Sequence, residues 1–236
     1  MNKPRFLVLI STVLILAGCT SNEIGNLKDV NPESIYFDYT VWGDEESGEV
    51  TVKLQYRFAG PNGTTLVLDD PSKVELDGVA ISVDSSKMNG AYYEVTRPVK
   101  EFAGKHSIVF TDPNKKQYKE EFHFQPIQLV TQLPAVITRG DMVLEVQGLA
   151  PKDYVRILMT DTAFYSEGIA RVDTVENGRI HISKEALSRL TSGPVHLQLS
   201  REDEKWVKNG TREGGRLSVS YGLKREFELK DNTPNP

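Results

Sequence analysis

The chain has 236 residues, 28 basic against 33 acidic, and a formal net charge of −5 at neutral pH. A net acidic balance without a basic run excludes the electrostatic footprint of a nucleic-acid-binding protein. A single cysteine excludes any intramolecular disulfide, so an oxidising compartment would leave the fold unaffected.

The first nineteen residues read as an address. Lys3 and Arg5 form a positive start, Phe6 to Ala17 is apolar, and small residues precede Cys19, the pattern of a secretory signal. The apolar run is shorter than the roughly 20 residues a membrane-spanning helix needs, because Thr20, Ser21 and Asn22 end it. The tetrad Leu16-Ala17-Gly18-Cys19 resembles the lipobox of bacterial lipoproteins. That resemblance implies cleavage after Gly18, acylation of Cys19, and anchoring in a lipid bilayer through chains such as palmitate. The expected location is the bacterial cell envelope, at the outer membrane in preference to the inner, with the leaflet left open. Loss of residues 1–18 removes Lys3 and Arg5 and makes the mature chain more acidic. The membrane contact expected is therefore the lipid itself, not electrostatic adhesion.

Residues 19–32 carry few apolar side chains and read as a lipidated N-terminus and flexible tether. From Ile35 the pattern changes. Ile35 to Val41 and Val50 to Phe58 read as strands, the second alternating apolar with polar residues, as half-buried strands do. Turn chemistry then recurs: Gly60-Pro61-Asn62-Gly63, Asp77-Gly78, Asn89-Gly90, Asp112-Pro113-Asn114, Asn177-Gly178, Asn209-Gly210 and Gly214-Gly215. Several of these pairs supply the positive φ that tight hairpins demand. Helical spacing occurs once, over Ser183 to Leu190, where Ser183 is placed to cap and Gly193 lies just beyond the end.

A second strand series begins near Met142, after Gln125 to Gln132. Lys119 to Phe124 resembles Lys224 to Leu229 at an offset of 105, and Glu101 to Phe110 loosely matches Leu190 to Leu199 at an offset of 89. The spacing predicts an all-β chain of two tandem immunoglobulin-like β-sandwich domains, 33–127 and 128–231, followed by a disordered tail at 232–236. The difference between the offsets predicts sixteen extra residues in the second domain, falling on the charged hairpin Arg201 to Gly215. That hairpin is expected to be a solvated insertion that adds nothing to the sandwich.

Candidate binding residues follow from that hairpin. Trp206, with Lys205, Lys208 and Arg212 around it, offers an aromatic face for a sugar or a protein partner, and Trp42 beside the acidic turn 43–49 offers the same. Asp161-Thr162-Ala163 and Asp173-Thr174-Val175 resemble the acceptor used by O-glycosylation systems of Bacteroidota-type bacteria, which implies Thr162 and Thr174 as acceptors. Known catalytic and phosphate-cradling motifs are missing, and His106, His123, His181 and His196 alternate with apolar residues as sheet-face residues do. No catalytic residue, metal or cofactor is expected. The chain as a whole resembles uncharacterised two-domain sandwich lipoproteins of such envelopes, which implies a non-enzymatic surface presented to an unknown protein or glycan. The alternative is a hydrolase-like or metal-dependent enzyme whose site is assembled from dispersed residues.

Overall fold

The computed structural model describes residues 23–232, so the lipobox with Cys19 and the tail residues 233–236 lie outside the described residues. The first strands are β1 (Ile24–Asn26), β2 (Ile35–Asp44), β3 (Glu49–Phe58), β4 (Thr64–Val67), β5 (Lys73–Leu76), β6 (Val79–Ala80), β7 (Val83–Ser86), β8 (Gly90–Pro98), β9 (Gly104–Thr111) and β10 (Gln117–Phe124). They are followed by β11 (Gln128–Leu129), β12 (Val136–Thr138), β13 (Met142–Gln147), β14 (Tyr154–Asp161), β15 (Ile169–Thr174), β16 (Arg179–Ile182), β17 (Gly193–Trp206) and β18 (Gly215–Lys230). Single-turn helices α1 (Val99–Phe102) and α2 (Lys184–Leu187) interrupt the series. Neither is long or apolar enough to cross a membrane.

The chain is all-β and folds as β-sandwiches, as its alternation and turns require. Hairpins close where the backbone can turn: Asp77 and Gly78 have φ of 51° and 81°, and Asn177 and Gly178 have 52° and 73°. Two successive left-handed residues match the right-handed twist of the flanking strands. Between β2 and β3, the Asp44 carboxylate accepts from the Ser47 amide at 2.7 Å, which holds the acidic turn.

In the first sandwich, β4, β3 and β2 with β8 and β7 face the sheet β10-β9-β5-β6. Aromatic rings fill the space: Tyr56 stacks on Phe110 at 4.5 Å, and Phe37 meets Phe110 edge-on at 5.2 Å. In the second, β15-β14-β17-β18 and the sheet β11-β13-β16 share aliphatic residues, among them Leu144, Ile157, Ile180 and Leu197. Phe124 and Tyr221 touch at 5.9 Å and link the two cores.

The two internal offsets reappear as register. Gly104 opens β9 opposite Phe124, and Gly193 opens β17 opposite Leu229, with φ of 134° and 133°. Each pair ends the last hairpin of its half, and a short helix precedes each hairpin.

Two expectations need correction. The tether is part of the fold: β1 pairs in parallel with β4, and Leu27 is fully buried because its side chain completes the first core. The charged hairpin is not a solvated insertion. Residues 215–222 of β18 pair in parallel with 37–44 of β2, so one eleven-stranded sheet runs through both halves of the chain.

Candidate functional site

The tip of the β17–β18 hairpin rests on the first sandwich through backbone and side-chain hydrogen bonds. The Lys208 amide donates to the buried Glu120 carboxylate at 2.8 Å, and the Asn209 side chain donates to the Lys119 carbonyl at 2.9 Å. On the opposite side the Phe37 amide donates to the Gly214 carbonyl at 3.0 Å, and the Thr211 hydroxyl donates to the Ile35 carbonyl. Glu33 accepts from the Arg212 amide at 3.2 Å, and that bond, then Lys116, holds its carboxyl below the usual range. Asp38 of β2 lies between Arg216 of β18 at 2.9 Å and Arg57 at 3.5 Å. A segment whose backbone amides at Lys208, Arg212 and Glu213 find partners on another sandwich is a seam.

Trp206 stands out from this seam. It is opposite Arg216 in the register, its neighbour Val207 is buried, and its own side chain is 76% exposed. Even-numbered residues of β2, β17 and β18 share one outward face, which places Trp42 (38% exposed) on the same face opposite Ser220. Two strand spacings and four residues of rise separate the tryptophans by roughly 16 Å. Lys205 faces the other way. Its ammonium donates to the Glu121 carbonyl at 3.0 Å and lies 3.7 Å from Glu120, so this lysine fastens the seam. Lys208 and Arg212 are exposed at the turn, and their amides are the groups committed. Thr162 and Thr174 are exposed at the two ends of the β14–β15 pair.

His106 is the least exposed histidine, and its ring is occupied at both nitrogens. Nδ1 lies 2.7 Å from Asp77 and Nε2 lies 2.6 Å from the Phe102 carbonyl, while the ring stacks on Phe102 at 3.8 Å. Neither nitrogen is left for a metal or a substrate proton. In the acidic turn, Glu45 pairs with Arg225 and Glu46 with Lys224. Among the described residues no group of three or more His, Cys, Asp or Glu is placed to hold a metal ion.

Sequence reasoning missed three features. Phe164 and Tyr165 are 91% and 93% exposed in the loop after β14, with rings 5.1 Å apart. Two adjacent aromatics between a turn-forming Asp161 and Gly168 could have signalled this, since neighbours in an extended segment cannot both face a core. The other two are clefts on either side of the Asp77–His106 contact. One, of about 430 Å³, is bounded by Val79, Ile81, Arg97 and Phe102. The other, of about 420 Å³, is bounded by Lys105, Lys119, His123 and Lys205. Both depend on elements distant in sequence.

Comparison of the sequence with protein families and with curated proteins returns no match. Among solved structures, the chain is similar to the two immunoglobulin domains of DIP-gamma, with 12% identity, covering 85% of this chain and 98% of that one at a TM-score of 0.24. It is also similar to SGBP-B of the Bacteroides ovatus mixed-linkage glucan utilisation locus, solved with a mixed-linkage heptasaccharide. There the identity is 13%, the coverage 78% and 53%, and the TM-score 0.27. The fibronectin(III)-like modules of Clostridium thermocellum CbhA give 7% identity, 86% and 97% coverage, and a TM-score of 0.25. At such scores these likenesses say nothing about function.

Proposed function

We propose that the protein is a non-enzymatic lipoprotein of the bacterial envelope, anchored by acylated Cys19, whose sandwiches present a binding surface to glycan or protein. The observation that carries the reading is Trp206, three-quarters exposed on a backbone held on both sides of it. An exposed tryptophan on a rigid strand offers a flat apolar face without an ordering cost, which is what an aromatic anchor needs. Trp42 on the same outward face extends the surface.

His106 has Asp77 and the Phe102 carbonyl within hydrogen-bond distance of its two ring nitrogens, the arrangement of a histidine that braces the fold. Anchoring rests on the lipobox. Two acyl chains on Cys19, with a third on its amine, hold a protein to a bilayer far better than one chain does. Thr162 and Thr174 are proposed glycan acceptors on the exposed side of the second sandwich.

The test of the binding reading is a glycan array probed with the soluble chain and with Trp206→Ala. Binding that the variant loses supports it. Binding that the variant retains in full removes Trp206 from the site.

A further inference from the structure

We propose that the cleft of about 420 Å³ on the outer face of β9 and β10 binds an acidic saccharide, a deepening that rests on the binding-module reading. The volume falls in the range of small-ligand sites.

The register builds the cleft. Odd-numbered residues of β9 and β10 point away from the first core, which brings Lys105 opposite His123 and Ser107 opposite Glu121. Asp77 closes one end after β5, and Lys205, reaching over from the β17–β18 hairpin, closes the other. Three lysines therefore converge on one surface of an acidic chain.

The two carboxylates of the cleft offset part of that charge. Asp77 already accepts from His106 at 2.7 Å and from the Ser107 amide at 2.8 Å, and Glu121 is paired with Lys119 at 2.6 Å. Lys205 is spent in part on the Glu121 carbonyl and Glu120. Among the described residues that leaves Lys105 as the lysine of this cleft with no ion pair within 4 Å; after Lys119, it helps to hold the Glu121 carboxyl below its usual range.

The chemistry of the lining selects the ligand class. A bare inorganic anion would meet two carboxylates and gain from the lysines alone. A ligand that carries both a carboxylate and hydroxyl donors satisfies every group: the lysines take the carboxylate, while Asp77, Glu121 and the Ser107 hydroxyl accept from or donate to hydroxyls. A uronic acid unit in an oligosaccharide has this combination. Such a ligand also suits an open, wet cleft, since its hydroxyls keep water on the solvent side.

The experiment is titration calorimetry of the soluble chain with a uronic-acid tetrasaccharide and with its carboxyl-reduced neutral counterpart. The expected result is binding of the acidic form that weakens with added salt, no comparable binding of the neutral form, and about a tenfold or greater loss in Lys105→Gln. Among the described residues the Lys105 ammonium makes no ion pair within 4 Å and no side-chain hydrogen bond, so the variant should melt close to the parent, and Lys105→Arg should retain binding. Equal binding of both saccharides, or full affinity in Lys105→Gln, overturns the cleft assignment and leaves the binding-module reading standing on Trp206. Binding of neither saccharide, with glycan-array binding that depends on Trp206, also overturns the cleft alone.

Discussion

The amide of Lys208 donates to the carboxylate of Glu120 at 2.8 Å, joining the tip of the last hairpin to the edge strand of the first sandwich across 88 residues of sequence. Glu120 is 3% exposed and lies on the inner side of β10, so its oxygens depend on the hairpin for partners. Lys205 lies 3.7 Å from the same carboxylate.

Removing that acceptor should loosen the seam. Glu120→Ala leaves the Lys208 amide without its partner and should cost about 2 kcal/mol in urea unfolding, whereas Glu120→Gln keeps an acceptor oxygen and should cost less. Equal and negligible losses in both would show that the contact contributes nothing.

Shortening the hairpin tests the seam as a whole. Replacing residues 205–215 with an Asn-Gly turn should lower stability well beyond a surface change, because it removes the Gly215–Phe37 pair that opens the β2–β18 ladder and the contacts of Glu120 and Glu33. A melting curve unchanged by the deletion would restore the view of a dispensable loop.

Gly215 is a point of close approach in that parallel pairing. A Cβ built there would lie 2.5 Å from the Phe37 carbonyl oxygen and 2.7 Å from the Phe37 Cβ. Gly215→Ala should therefore destabilise by roughly 1–3 kcal/mol, an overpacking cost that Gly214→Ala, with open space around it, does not share. At Gly214 the positive φ of 80° gives instead a backbone penalty, so the two variants should differ in exchange protection of β2 amides.

Stability should fall at both ends of the pH scale. The Glu33 carboxyl is held down by the Arg212 amide and Lys116, and the Asp44 carboxyl chiefly by the Ser47 amide. Groups with lowered folded values contribute stability above their ordinary values of 4.5 and 3.8 and lose it as pH falls through the folded ones. At the alkaline end, burial raises Tyr93 to about 12. Its contribution is intact below 10 and fades as pH rises toward the folded value, since the unfolded chain ionises first. Denaturant midpoints measured from pH 3 to pH 11 check both limbs, and the acid limb should weaken in Glu33→Gln.

Anchoring is tested in cells. Cys19→Ser should release the chain from the membrane fraction or leave an uncleaved precursor. A processed Ser variant that stays bound through a high-pH wash would contradict the lipoprotein assignment.

Local chemistry made much of the fold legible. Alternation in 50–58 matches β3, Asp77-Gly78 and Asn177-Gly178 turn where their backbones can, and Ser183 caps α2 by accepting from the Ala186 amide at 3.2 Å. The repeat was legible because Gly104 and Gly193 share a left-handed φ that few residues adopt. The seam was not. Arg216 and Asp38 are 178 positions apart, and a parallel pairing between them leaves no local pattern. Leu27 was misread for the same reason: a single buried apolar residue has no periodicity to betray it. For the candidate site, the sequence left open whether Trp206 packs or stands out, and the role of Lys205 as a fastener depends on Glu120 and Glu121 from the other half of the chain.

The most direct test of the account pairs two measurements on Trp206→Ala, thermal unfolding and glycan-array binding. The account predicts a melting curve within about 0.5 kcal/mol of the parent and a binding loss of about 2 kcal/mol or more, because the side chain is exposed while its backbone is held. A large loss of stability, or array binding that the variant keeps unchanged, would contradict it.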